Sequence, residues 1–172
     1  FYLDVIKDRL YCDSKDSLSR RSVRTAMSHI LESLVRLMAP ILSFTSEEIW
    51  NHMPGERGES VHLELFTRTD PDWRDQLLEQ EWSRLREIRG WVYRELEEKR
   101  NEKVIGSFME AAVTLRVDDE LRGFLAKFPD LYRLFIVASV DLKPLQGDED
   151  PTKAVHVEVV RAGGGKCARC WN

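Results

Sequence analysis

Cys167 and Cys170 stand three positions apart in Lys166-Cys167-Ala168-Arg169-Cys170-Trp171-Asn172, the last residues of the chain. That spacing lets two thiolates on one tight turn hold the same tetrahedral ion, zinc being the usual choice. A closed structural site takes four ligands, and the sequence holds no second Cys-x-x-Cys pair. Taken bare, the motif has three readings: half of a zinc knuckle, a redox pair, or incidental cysteines. A redox pair would open a helix after a strand, and no helix is expected after Cys170. Basic and aromatic neighbours without an acid suit a knuckle that reads nucleic acid. With two ligands of four, metal affinity is expected to be poor and the pair unmetallated. Trp171 beside Arg169 puts an aromatic plate next to a fork for phosphate or base edge, and stacking is worth roughly 1–3 kcal/mol per base. The plain alternative is that Trp171 only covers the knuckle. Lys7 and Tyr11 make a similar, weaker pair near the other end, and alone they read as ordinary surface residues.

No catalytic constellation is visible. His29, His52, His62 and His156 are scattered, and no Gly-rich loop joins a strand to a helix as a phosphate cradle would. Gly163-Gly164-Gly165 leads into the Cys turn and reads as a hinge. Neighbouring carboxylates such as Glu97 and Glu98 fit a solvated helix face. Hydrophobic content of 42% and charged content of 33% describe a chain able to bury a core. No apolar run approaches the ~18–20 residues that cross a bilayer. Cys12 is isolated, so no disulfide framework exists, and a reducing, cytoplasmic home is expected. The net charge is −4, but the last twelve residues hold Arg161, Lys166 and Arg169 with no acid. A basic tail on an acidic body permits phosphate contacts without demanding them.

The elements that must position these groups read as follows. Tyr2, Leu3, Ile6 and Leu10 share one side of an opening helix, with Lys7 and Tyr11 on its polar flank. After a polar turn, Asp13 to Ser19, a second helix buries Val23, Met27, Ile30, Leu34, Leu37 and Met38, and Pro40 closes or kinks it. Thr45 and Glu48 are spaced as a capping box for a short third helix, with Phe44 as its hydrophobic staple. Residues 55–73 read as an exposed acidic connector with an extended piece at Val61-His62-Leu63. A long helix from Asp75 to Val104 runs on Leu78, Trp82, Leu85, Ile88, Val92 and Leu96, with Gly90 at a close helix contact. Past Gly106, Val113, Leu115 and Val117 alternate as a strand. Asp118-Asp119 caps a short helix that Pro129 stops. Leu134 to Val140 suits a central strand, and Val155, Val157 and Val159 alternate again. The expected fold is mainly α: an antiparallel helical bundle followed by a small α/β (β-α-β-β) subdomain. The divisions are 1–105 for the bundle, 106–162 for the α/β subdomain and 163–172 for the start of a truncated zinc module. Both ends look cut, as expected of a piece of a larger protein.

Residues 34–50, Leu34-Val35-Arg36-Leu37-Met38-Ala39-Pro40-Ile41-Leu42-Ser43-Phe44-Thr45-Ser46-Glu47-Glu48-Ile49-Trp50, resemble the signature of the anticodon-binding bundle of class I aminoacyl-tRNA synthetases. The isoleucyl, valyl, leucyl and methionyl enzymes share that block, so it specifies the domain more than the amino acid. Three other pieces narrow it to the bacterial-type isoleucyl-tRNA synthetases. Tyr2 to Tyr11 resembles their bundle helix. Lys103-Val104-Ile105-Gly106-Ser107 with Glu110 to Leu115 resembles their link into a small α/β subdomain, although Phe108-Met109 stands where the family usually has Ser-Leu. Lys166 to Trp171 resembles the start of their C-terminal zinc module.

The resemblance implies an anticodon-recognising region whose partners are the anticodon stem-loop of tRNA(Ile) and the remaining domains of the parent, most simply as a monomer. It implies Lys7 as the bundle's anticodon contact, Trp171 as the zinc module's, and Cys167 and Cys170 as zinc ligands. Arg9, Arg21 and Arg24 join them as phosphate candidates from charge and helix face, and Arg169 from its place beside Trp171. ATP and Mg would serve the parent's catalytic domain; the ATP-binding signatures and editing domain are absent here, so the fragment itself is expected to bind tRNA and catalyse nothing. The rival readings are a valyl or leucyl counterpart, which the Cys-x-x-Cys-Trp tail and the Lys7 helix disfavour, and a helical protein-interaction scaffold.

Overall fold

The computed structural model describes residues 1–146, 154–165 and 168, which form two compact units. One contains Phe1–Cys12 and the chain from Gln76 onward; the other is Asp13–Asp75. The boundary expected at residue 105 falls inside the first of these.

In the first unit, two short helices, α1 (Tyr2–Val5) and α2 (Lys7–Tyr11), replace the single opening helix. They part at Ile6, whose backbone sits at φ −90°, ψ −3°, in the sparsely allowed bridge region. α5 (Gln76–Asn101) is the long helix, about 39 Å at 1.5 Å per residue. Its buried stripe is Leu85, Ile88, Val92 and Leu96. Leu78 and Trp82, expected in that stripe, are exposed. Gly90 makes no close contact either: a Cβ there would meet nothing within 4 Å.

α5 packs on a three-stranded sheet ordered β2-β1-β3. Central β1 (Ala111–Val117) alternates strictly, burying Ala111, Val113, Leu115 and Val117 on one face. It pairs in parallel with β2 (Ser139–Pro144) and antiparallel with β3 (His156–Arg161). A parallel pair needs a crossover. It is supplied by α6 (Asp119–Leu125), capped by Asp118 accepting from the Leu121 amide at 2.7 Å, and by α7 (Leu131–Phe135). The run from Leu134 to Val140 is therefore not a central strand. Its first half is helix, Ile136 turns the chain in the left-handed region (φ 58°), and its second half enters an edge strand. Short apolar runs do not separate a buried helix from a buried strand.

Arg89 joins α1, α5 and α7: its Nε donates to the Leu134 carbonyl at 3.0 Å, and its guanidinium lies over the rings of Tyr93 and Phe1. Phe1 meets Trp82 edge-on, and Val5 joins the main core. These contacts hold the opening helices against this unit.

The second unit is built on α3 (Leu18–Met38) and α4 (Ser43–His52). Ser17 caps α3, its hydroxyl accepting from the Arg20 amide. α4 begins at Ser43, with Leu42 before it and no side-chain cap. The expected capping box is thus not formed, because Thr45 already lies inside the helix. Phe44 is no staple, being 93% exposed. The small core comprises Val35, Ala39, Trp50, Met53 and Val61. Ile30, Leu34 and Leu37 were expected inside and are exposed.

The stretch after Pro54 is no loose connector. Trp50 Nε1 donates to the Gly58 carbonyl at 3.0 Å, and the guanidinium groups of Arg36 and Arg57 lie over its ring. Arg36 also pairs with Glu32 and Glu64, both at 3.1 Å. Glu47 accepts from Ser60 Oγ and from the Val61 amide, fixing a one-turn 3₁₀ helix at Val61–Leu63 where an extended piece was expected.

Candidate nucleic-acid interface

Within the first unit, α1, α2, Met109 and the segment 132–137 line a cavity of about 460 Å³. That volume suits a group of nucleotide size. Two side chains give it chemical character. Lys7 opens α2 with 64% of its side chain exposed, and Tyr11 closes the same helix 74% exposed. Four positions apart, they lie on one helix face. The wall opposite comes from far along the chain, with Tyr132 and Arg133.

The charges are ordered by pairing. Lys7 Nζ donates to Asp4 Oδ1 at 2.9 Å. That bond and the attraction between the charges hold Asp4 below the ordinary carboxylate range and raise Lys7 above the ordinary amine value. Lys7 is a full cation at neutral pH, in a solvent-exposed pair that an incoming phosphate can displace. Asp8 is committed elsewhere: Oδ1 accepts from the Arg9 amide at 2.7 Å and Oδ2 pairs with Arg133 Nε at 3.0 Å. Arg133 Nε also lies 2.9 Å from the Tyr132 hydroxyl. The Asp8–Arg133 pair thus ties α2 to α7 and sets the width of the cavity. Ile136 adds strain at its edge, since a β-branched residue at positive φ costs of order 1–3 kcal/mol.

The other predicted residues fare differently. Arg9 faces Asp130 at 3.9 Å, is one-third exposed and keeps a buried Nε without a hydrogen bond. Its surroundings describe a strut between α2 and α7 better than a phosphate contact. Arg21 and Arg24 are exposed on α3 in the second unit, with no ion pair among the described residues. Cys167, Arg169, Cys170 and Trp171 lie outside the described residues. Two thiolates are half the donor set of a tetrahedral zinc site. Among the described residues no group of three or more His, Cys, Asp or Glu could hold a metal ion. The donors present therefore do not by themselves fit zinc.

Sequence reading missed Tyr132, Arg133 and Ile136. They sit in or beside an apolar run and share no spacing with Lys7; only the fold brings them together. No described helix is long and apolar enough to cross a membrane.

The chain is similar along its whole length to proteins named isoleucine–tRNA ligase. That of Syntrophotalea carbinolica is 49% identical over 179 residues, that of Geobacter sulfurreducens 42% over 177 and that of Pasteurella multocida 43% over 178. Each match takes in 100% of this chain and 19% of the relative, so the chain spans about a fifth of their length. Residues 1–115 match the family model described as the anticodon-binding domain of tRNA ligase. With two thirds of its residues inside that model, and with an exposed cation and aromatic plate on the rim of a nucleotide-sized cavity, the chain belongs to the anticodon-binding domain family of tRNA ligases.

Proposed function

We propose that this chain is the anticodon-reading part of an isoleucine–tRNA ligase, a cytoplasmic monomer that attaches isoleucine to tRNA(Ile) with ATP and Mg at a catalytic domain elsewhere in the polypeptide. The observation that carries the reading is the Lys7–Tyr11 pair at the cavity rim, in a chain 42–49% identical to isoleucine–tRNA ligases over its full length. In the parent the helices belong to an antiparallel bundle ahead of the α/β subdomain. A base leaving the anticodon stack lies on the Tyr11 ring, while Lys7 leaves Asp4 for the adjoining phosphate. Arg21 and Arg24 add phosphate contacts. Trp171 and Arg169 contribute a second stacking point, positioned when Cys167 and Cys170 share zinc with two further ligands. The zinc would supply folding energy to that module and no chemistry.

Titration of the parent enzyme with tRNA(Ile), and with the same tRNA carrying a foreign anticodon, tests this at 50 and 200 mM salt. The anticodon change should weaken binding by at least tenfold, with affinity falling steeply between the two salts. Equal binding of both tRNAs sinks the anticodon reading. Aminoacylation with valine or leucine in place of isoleucine would leave the domain assignment and overturn the substrate.

A further inference from the structure

Exposure divides the cavity of the first unit into a mouth and a deeper wall. Lys7 and Asp4, paired at 2.9 Å, keep 64% and 54% of their side chains in solvent. Arg133 and Asp8, which line the same space, keep only 20% and 33%. The buried side chains of Val5 and Val137 add apolar surface to it. The exposed cation at the mouth suits a passing phosphate. What the deeper wall takes is decided by its donors and acceptors.

That inventory is one-sided. Of the two carboxylates lining the cavity, Asp4 stands at the mouth. Asp8 is the other, and both its oxygens are engaged: Oδ1 accepts from the Arg9 amide at 2.7 Å, and Oδ2 pairs with Arg133 Nε at 3.0 Å. Arg133 Nε also donates to the Tyr132 hydroxyl at 2.9 Å. With a lone pair turned to the guanidinium, that hydroxyl keeps its own proton for donation. The guanidinium is a planar fork of N–H donors and holds no acceptor. Its charge is offset by Asp8, so the wall is rich in donors yet close to neutral. Such a wall suits a carbonyl oxygen better than a phosphate, which Lys7 serves at the mouth. Guanine and uracil carry a carbonyl on the edge where adenine and cytosine carry an amino group. An amino group against this wall would set donor against donor and leave polar groups unsatisfied once water is excluded.

We infer that Arg133 is the specificity-determining residue of this cavity, and that the cavity takes one unpaired keto base, guanine or uracil, in preference to adenine or cytosine. This rests on the reading of the chain as the anticodon-binding part of a tRNA ligase. Asp8 acts through Arg133 and is a positioning residue. The test titrates the parent enzyme with anticodon stem-loops of tRNA(Ile). Removing one anticodon base at a time finds the positions that matter. At each such keto position, guanine is then replaced by 2-aminopurine, or uracil by 2-pyrimidinone, which lose the carbonyl and keep the ring. At one position this should weaken binding to the unmodified enzyme by about 5- to 150-fold. The same replacement should cost less than about twofold in Asp8→Asn/Arg133→Met, which removes the ion pair without changing the net charge. The salt slope of that double variant should equal the original's. A slope shallower by about 0.7 assigns the wall to a phosphate and overturns the proposal. Carbonyl losses that are additive with the double variant at every keto position overturn it too. Exchanging keto for amino bases on the unmodified enzyme needs no substitution in the wall. Equal binding after that exchange at every anticodon position refutes the assignment even where a variant fails to fold. If no base removal weakens binding to the unmodified enzyme, the anticodon reading itself falls and this inference with it. If base removal is felt but no carbonyl couples to Arg133, only this inference falls.

Discussion

Replacing Tyr11 by alanine separates a recognition role from a structural one. The ring is three-quarters exposed, so its loss should change folding stability by no more than about 0.5 kcal/mol. A base stacked on it would lose about 1–3 kcal/mol, which is about 5- to 150-fold in affinity. Tyr11→Phe keeps the ring and should bind within about twofold of the original. Lys7→Ala is the companion change. It removes one phosphate contact and leaves Asp4 as an unneutralised anion on the cavity rim. Binding should weaken most at low salt, with a log–log salt slope shallower by about 0.7, the value for one single-strand phosphate. Lys7→Arg should restore the slope. Fluorescence anisotropy with a labelled anticodon stem-loop, on the parent enzyme between 50 and 300 mM salt, reads both quantities. Tyr11→Ala binding within twofold of the original, with Lys7→Ala leaving the slope unchanged, would refute the rim as an RNA contact. The family membership would survive and the contact would have to lie elsewhere.

Three further outcomes follow from the packing and the charges. Phe135 is fully buried in the main core, and Phe135→Ala should cost about 3–5 kcal/mol, seen as a lowered midpoint in chemical denaturation. Glu47→Ala strands the amide of buried Val61 and should cost about 1–3 kcal/mol, with faster hydrogen exchange at residues 60–64. Asp4 should titrate below the ordinary carboxylate range by NMR, and Lys7→Ala should move it upward. Because the folded value is depressed, the pair's contribution is present above the unfolded carboxylate value and is lost as pH falls through the folded one.

The local elements were legible where one periodicity dominated. The 3.6-residue stripe Leu85-Ile88-Val92-Leu96 marked α5, and the strict alternation of Val113, Leu115 and Val117 marked β1, because each pattern fits only one backbone period. Asp118 declared the start of α6 through its own short side chain. Lys7 and Tyr11 could be put on one helix face for the same reason, since four residues of one helix suffice to do so.

What the sequence could not decide depended on contacts between residues far apart. The apolar run from Leu134 to Val140 suits a central strand by composition, yet its first half is helix, and the turn at Ile136 is imposed by packing rather than by propensity. The stretch from 55 to 64 is polar in composition, yet Trp50, Arg36 and Glu47 fasten it down through bonds that span up to 28 positions. The helical stripe through Ile30, Leu34 and Leu37 announced an apolar face, but periodicity does not say whether a face has a neighbour. By itself, then, the sequence determined α5, β1, the start of α6 and the family, because those are written in one local pattern or one continuous block of residues. Only tertiary structure decided that Arg133 and Tyr132 complete the cavity and that Arg9 stands 3.9 Å from Asp130, because such pairings exist only once distant segments are packed together.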